Sequence, residues 1–215
     1  LIFYGENEAE YGNPIADNNT SLRDKSIYAS KNMKDIYLAG VSLKELIKKH
    51  ELSLNDLTLF LPPTIESLEK AKIEVHYLGY YLRWTPQEVF YYASENTGFK
   101  PRPFRTQGSY SKYNSIDDKI DDLHFYTTYI KFGIGRATYE GSQEIRNKHI
   151  TRDEGILLVK KYDGEFPDKY FQEIMDYLEI DSEYFKTELT DKFRSPHLWS
   201  KKNGIWKLKN TIYNN

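Results

Sequence analysis

A row of helix-start signals in the second half of the sequence constrains the fold more than any other feature. Each signal places a capping residue or a proline at the start of a helical segment, at Thr85, Thr151, Pro167 and Ser182. At Thr85 the signal is complete, because Pro86 takes the first helical position and Glu88 the third. From Ser115 onward we expect helices alone, and the whole pattern predicts a mostly helical region over residues 85–215.

The first part of the chain has the character of an α/β fold. The run "LIFY" (1–4) is apolar without alternation, which is typical of a buried strand in a parallel sheet. The β-branched and aromatic run "IEVHYLGYYLRW" (73–84) predicts a second strand. Between them, residues 13–72 are partly loop or insertion, with a capping box at Ser42 and Glu45 that predicts a short helix over 43–50.

The turn after the first strand is placed like a binding site. Ligands of parallel sheets bind just beyond the carboxyl ends of the strands. Gly5, Glu6 and Asn7 occupy this position. Any strand-to-loop turn can look similar, so the position alone leaves both interpretations open.

Composition excludes several classes of protein. The 15% aromatic content, with 19 Tyr, indicates a folded chain, and the absence of Cys excludes disulfides and thiolate metal sites in this stretch. Basic and acidic residues are balanced at 30 and 32, with no basic block, so we expect no nucleic-acid partner. No apolar run is long enough to span a membrane and no signal peptide is visible, so we expect a cytoplasmic protein.

The segment "SIDDKIDDLH" (115–124) has two interpretations. Ser115, Asp117 and Asp118 fit the cap and acidic first turn of an ordinary helix. Further along, Asp121, His124 and Lys131 fall on one stripe of a helix that is otherwise nearly apolar, which is typical of burial. A buried Lys131 would need a partner, so this polar line is either a functional site or a structural ion-pair network.

Charged and hydroxyl side chains follow in "GIGRATYEGSQEIRN" (133–147). The stretch is not a dinucleotide fingerprint, because Thr138 stands where the third glycine belongs. Gly133 and Gly135 indicate a bend. Arg136, Ser142, Glu144 and Arg146 offer groups suited to an anionic or sugar-like ligand, although each alone is typical of a protein surface.

Several long motifs together resemble one family. They are "YGENEAEYG" (4–12), "YLGYYLRWTPQEVFYYASENTGF" (77–99), "GSYSKYNSIDDKIDDLHFYTTYIKFGIGRATYEGSQEIRN" (108–147), "HITRDEG" (149–155), "KKYDGEFP" (160–167) and "FRSPHLW" (193–199). The chain resembles the N-acetyl sugar amidotransferases, PP-loop enzymes of LPS, O-antigen and pseudaminic or legionaminic acid biosynthesis. The resemblance covers most of the chain and is weakest over 13–72.

The resemblance implies an ATP-dependent conversion of a sugar acetamido group to an acetamidino group. It implies ATP and Mg²⁺ as cofactors, and ammonia from a glutaminase subunit similar to the histidine-biosynthesis glutaminase, with a cyclase-like companion. It also implies that residues 1–84 are the remnant of a PP-loop (adenine nucleotide alpha-hydrolase-like) domain. A different PP-loop enzyme, such as a tRNA-thiolating one, agrees poorly with residues 108–147.

Site residues are hypotheses within this resemblance, because it supplies motif positions and not roles. Gly5, Glu6 and Asn7 would border the nucleotide. We expect the catalytic residues to be Asp117, Asp121, His124 and Lys131, and the Mg²⁺ ligands to be Asp118 and Asp122. We expect the substrate to contact Lys112, Arg136, Ser142, Glu144 and Arg146.

One departure from the family pattern is large. The family's phosphate loop, Ser-Gly-Gly-x-Asp-Ser, does not occur in the 215 residues. We expect it upstream of Leu1, which would make this chain the carboxyl-terminal part of the enzyme and inactive towards ATP by itself. The alternative is a non-catalytic helical module that docks a glutaminase or a glycan.

Overall fold

The computed structural model describes residues 1–5, 20–30 and 32–213, which fall into two compact units, Leu1–Trp84 and Thr85–Asn215. The first unit is mixed α/β. Its strands are β1 (Ile2–Tyr4), β2 (Tyr37–Leu38), β3 (Val41–Ser42) and β4 (Val75–Tyr77), and its helices are α1 (Leu43–His50), α2 (Leu54–Leu57), α3 (Ile65–Lys70) and α4 (Leu78–Tyr81).

A small parallel sheet pairs the two ends of the first unit. β1 and β4 run parallel, with Ile2 opposite Val75 and Tyr4 opposite Tyr77. The pairing confirms the predicted parallel sheet, but β1 is not buried, since Ile2 is 45% and Phe3 50% exposed. The strand predicted over 73–84 is also too long. It ends at Tyr77, where its three-residue partner ends, and the chain continues directly into α4.

The described part of residues 13–72 contains strands and helices and is not mainly loop. β2 and β3 form an antiparallel hairpin that leads into α1. The Ser42 hydroxyl accepts a hydrogen bond from the Glu45 amide at 3.3 Å, so α1 lies where its cap predicts it. Ile36, Leu43 and Leu57 pack together as a local core.

The second unit is mostly helical and ends in a hairpin. Its helices are α5 (Pro86–Asn96), α6 (Ile120–Phe132), α7 (Arg136–Arg146), α8 (Arg152–Tyr162), α9 (Phe171–Leu178), α10 (Ser182–Tyr184) and α11 (Thr190–Phe193), with a π-helical turn at Phe185–Leu189. β5 (Trp199–Lys202) and β6 (Ile205–Leu208) are antiparallel. Side chains of α6, α9 and the π-helical turn form its core, with members Leu123, Phe171, Ile174, Met175 and Phe185.

Three expectations for this unit need correction. The helix predicted from Ser115 begins at Ile120, because Ser115 has a left-handed backbone (φ 49°); the Asp118 carboxylate accepts the Ile120 amide. The segment opened by Pro167 becomes helical only at Phe171. The end of the chain is not helical, because Asn203 and Gly204 both take positive φ and close the β5–β6 hairpin.

Candidate functional site

The loop over residues 101–115 is fastened to the helices by two arginines. The Arg105 guanidinium donates to both oxygens of Glu165, at 2.6 and 2.5 Å, and stacks on the ring of Tyr162. The Glu165 carboxylate also accepts the Gly108 amide at 2.8 Å. This bidentate pair therefore holds the middle of the loop against the turn that follows α8.

The second arginine fixes the end of the same loop. Arg102 donates to the Asp122 carboxylate at 3.3 Å and to the backbone oxygens of Ser115 and Asp118. Asp122 is only 2% exposed. Burial raises the pKa of its carboxyl group, although Arg102 opposes the shift. Arg102 is thus the charge that allows Asp122 to be buried.

A buried polar cluster lies between these two anchors, where the loop covers α7. We call it the Glu140 cluster, with members Ser109, Ser111, Asn114, Arg136 and Glu140. The Glu140 carboxylate accepts hydrogen bonds from the Ser109 hydroxyl (2.7 Å), the Arg136 Nε (2.8 Å) and the Asn114 amide. Both of its oxygens are therefore engaged by loop and helix together.

The electrostatics of the cluster favour a carboxyl group that holds its proton more tightly than usual. Burial raises the pKa of Glu140, while hydrogen bonds from Arg136 and Ser109 oppose the shift and the negative charge of Glu144 adds to it. Perturbed carboxyl groups of this kind concentrate at functional sites.

Arg136 is a partly exposed member of the cluster. Its guanidinium lies 5.2 Å from the ring centre of Phe125 and 5.1 Å from that of Tyr139, and its Nη2 donates to Asn114 at 3.0 Å. Its side chain is 31% exposed, and Nη1 has no hydrogen-bond partner among the described residues. The guanidinium is therefore held in one orientation with a free edge, suited to an anionic or strongly polar ligand.

Two tyrosines lie near the cluster, Tyr113 against α5 and Tyr110 against Tyr162 of α8. Burial and the charges of Glu140 and Glu144 raise the pKa of Tyr110 far above its usual range. Burial likewise raises the pKa of Tyr113 to about 12, and its hydroxyl donates to Gln87 at 2.9 Å. The Tyr110 hydroxyl is buried and makes no hydrogen bond within the described part of the chain, which is uncommon for a buried polar group.

The polar line predicted along α6 is not a buried site. His124 and Lys131 are exposed, and Phe132 at the end of the same helix is exposed as well. Asp121 is half-buried and accepts a hydrogen bond from the Ser115 hydroxyl, and Asp117 is exposed. The prediction of burial was wrong because a helical wheel identifies the apolar stripes but does not tell which of them the neighbouring elements cover.

The two predicted Mg²⁺ ligands have other partners. The Asp118 carboxylate accepts a 2.7 Å hydrogen bond from the Ile120 amide at the start of α6, and Asp122 pairs with Arg102. Over the described residues, no group of three or more His, Cys, Asp or Glu side chains is arranged to hold a metal ion. Both carboxylates are therefore engaged by groups of the protein itself.

The other predicted residues are spread over the molecule. Gly5 is exposed at the end of β1, while Glu6 and Asn7 lie outside the described residues. Lys112 and Arg146 are exposed, and the Ser142 hydroxyl donates to the Thr138 carbonyl within α7. Only Arg136 and Glu144 lie at the Glu140 cluster, where Glu144 contributes its charge and pairs with His149 at 3.2 Å.

The sequence prediction missed Glu140 itself, although a signal was present. Arg136, Glu140 and Glu144 are spaced four residues apart and so share one face of α7. Ser109 and Asn114 had no comparable signal, because they reach Glu140 only when the loop folds back over the helix.

Taken together, the second unit is a helical domain with a buried charged cluster beneath a fastened loop. Residues 107–213 match the family model of the LPS biosynthesis protein WbpG-like, C-terminal domain. This part of the chain is similar to that family, which confirms the resemblance to the carboxyl-terminal part of an LPS biosynthesis protein. No curated protein matches the chain. In the described residues, no helix is both long and apolar enough to cross a membrane.

Proposed function

We propose that this chain is part of an ATP-dependent amidotransferase of bacterial surface-polysaccharide biosynthesis that converts a sugar acetamido group to an acetamidino group. The family match over residues 107–213 carries the proposal, because LPS biosynthesis is the setting that the family's name gives. The long motifs at 77–99 and 108–147 that resemble the N-acetyl sugar amidotransferases supply the reaction. The PP-loop ancestry of residues 1–84 and a cytoplasmic location belong to the same proposal.

The Glu140 cluster is the sugar-binding part of this proposal. Arg136 presents its free guanidinium edge beside the exposed ring of Tyr139, which is the combination of planar donor and aromatic face that suits a sugar with a negatively charged substituent. Glu140 does not need to touch the substrate. It acts as a positioning residue, because its carboxylate fixes Arg136 and Asn114 in their orientations.

ATP and Mg²⁺ enter the proposal as requirements of the reaction and not as ligands of the described residues. ATP would activate the amide oxygen, which is a poor leaving group, so that ammonia from a glutaminase and cyclase-like partner could displace it. We assign the described residues no step through either group, because no cluster of three ligands occurs among them and the phosphate loop does not occur in the 215 residues.

Incubation of the protein, with any upstream segment that its gene encodes, with ATP, ammonium and acetamido sugars tests the reaction. Mass spectrometry should detect a product in which one oxygen has been replaced by NH, formed together with AMP and pyrophosphate. Failure to form this product from neutral, phosphorylated or carboxylated acetamido sugars would refute the proposed reaction.

Variants then test the site. Arg136→Gln should lower kcat/KM on the order of ten- to a hundredfold, because a charged hydrogen bond to the substrate is lost. His124→Gln and Asp121→Asn separate the two site hypotheses. If they abolish activity while Arg136→Gln does not, the α6 polar line is catalytic and the Glu140 cluster only structural.

A non-catalytic docking module is the second candidate function. Helix α5 exposes Tyr91 and Tyr92, and exposed aromatic side chains are common in protein interfaces. Under this alternative, Tyr91→Ala and Tyr92→Ala would abolish binding to the glutaminase, and no amidino product would form under any condition.

A further inference from the structure

Every charged side chain in the last 24 residues is basic. Residues 192–215 contain no Asp or Glu, although the whole chain has 32, and the basic side chains are Lys192, Arg194, Lys201, Lys202, Lys207 and Lys209. These residues are too widely spaced in the sequence to form a basic block. Folding of the β5–β6 hairpin determines which of these side chains lie on the same face.

Strand pairing sorts the hairpin side chains onto two faces. Trp199 lies opposite Leu208 and Lys201 opposite Trp206 on one face. Ser200 lies opposite Lys207 and Lys202 opposite Ile205 on the other. Because Trp199 is buried, the first face is the one that packs on the helices, and the second points outward.

The inward face is firmly attached. Asp191 of α11 accepts hydrogen bonds from the Trp206 indole and from the Lys201 ammonium, each at 2.5 Å. The Trp199 ring packs edge-on against Tyr129 of α6. The outward face is therefore presented as a fixed surface and not as a loose loop.

The outward face combines unpaired positive charge with an exposed apolar tip. Lys202 and Lys207 are exposed and have no ion-pair partner in the described part of the chain. Ile205, next to the Asn203–Gly204 turn, is 61% exposed between them. Lysines alone would be explained by protection of a strand edge, but that purpose does not require an exposed isoleucine at the tip.

We propose that this outward face, formed by Lys202, Ile205 and Lys207, docks the protein on an anionic lipid surface. Lysines near such a surface are attracted by the negative headgroups, and an apolar side chain at the tip of a turn can enter the boundary with the acyl chains. Charge complementarity favours lipid phosphates, because the face carries no acidic group that would be repelled. This inference does not depend on the proposed enzymatic reaction.

Flotation with lipid vesicles tests the proposal. The protein should bind vesicles that contain phosphatidylglycerol, should not bind vesicles of phosphatidylcholine alone, and should dissociate as salt is raised. Each lysine contributes roughly fivefold to binding, so Lys202→Gln with Lys207→Gln should weaken it roughly 25-fold. Ile205→Ser should weaken vesicle binding as well, and this loss should not depend on the salt concentration.

The matched control is Lys44→Gln with Lys48→Gln, which removes the same charge from two exposed positions of α1. This control should bind the anionic vesicles like the unaltered protein. Equal loss in the control would show a general charge effect and overturn the assignment. Absence of vesicle binding, with or without binding to RNA or an acidic polypeptide, would also overturn it. Circular dichroism of each variant establishes that the fold is retained.

Discussion

Replacing Glu140 by alanine removes the one acceptor shared by three donors of the Glu140 cluster. The Ser109 hydroxyl, the Asn114 amide and the Arg136 Nε would all lose their partner, and Arg136 would keep its charge in a partly buried place. Breaking a buried pair in this way costs about 3–5 kcal/mol. Glu140→Gln keeps the shape and one acceptor, so it should cost about 1–3 kcal/mol.

Urea unfolding measures these losses in the free energy of unfolding. In a Trp84→Phe background, tryptophan fluorescence reports only Trp199 and Trp206, both in the second unit. Glu173→Gln is the control, because its ion pair with Lys119 at 2.6 Å is more than half exposed and should be worth less than about 1 kcal/mol. A loss for Glu140→Ala no larger than that of the control would refute the view that the cluster holds the loop.

The pH dependence of the same variants has a definite sign. Burial raises the pKa of Glu140 in the folded state, so the native protein binds this proton more tightly than the unfolded chain does. The stability that this provides is fully present below the unfolded pKa and is lost as pH rises through the folded pKa. Glutamine does not titrate. The cost of Glu140→Gln should therefore be larger at acidic pH than at neutral pH, and the opposite trend would contradict the raised pKa.

Three further predictions concern packing and ionisation in the second unit. Ile130→Ala, at a position with 0% exposure, should lower the free energy of unfolding by about 2–5 kcal/mol in thermal or urea unfolding. Gly164→Ala should destabilise more than Gly98→Ala. Both glycines have positive φ, but only a Cβ at Gly164 would overlap the ring of Tyr129, and equal losses would contradict this. In NMR titration of tyrosine ring carbons, Tyr113 and Tyr129 should each give a signal with a pKa of about 12, and one of the two should disappear in Tyr113→Phe.

Local signals predicted the elements that depend on local interactions. The caps at Ser42 and Thr151 bond to amides three residues away, so the starts of α1 and α8 follow from the sequence. The start of α6 does not. Arg102 holds the carbonyl of Ser115 from thirteen residues away, and Ser115 has a left-handed backbone instead of serving as a cap. Because Arg102 lies outside the segment 115–124, no pattern within that segment predicts the contact.

The same difference between local and distant contacts explains which residues of the site could be predicted from the sequence. The sequence identified Arg136 by its residue type beside a predicted bend, but its burial partners come from a loop that folds over α7 from more than twenty residues away. The β5–β6 hairpin was missed for another reason. Its Asn203–Gly204 turn between apolar and basic alternations is a strong local signal, which the helical interpretation of the second half obscured.

Buried charge in the second unit indicates where function is to be sought. Three arginine–carboxylate pairs are less exposed than the lysine–carboxylate pairs of the described residues. Arg102–Asp122 and Arg105–Glu165 fasten the loop over 101–115 directly, and Arg136–Glu140 of α7 fastens it through Ser109 and Asn114. Desolvating a charge pair seldom stabilises a fold, so a protein that fastens one loop three times gains a fixed geometry more than stability. The surface fixed in this way includes Arg136 and does not include the exposed polar side chains of α6. Substitutions beneath this loop, and not along α6, should therefore separate binding from folding.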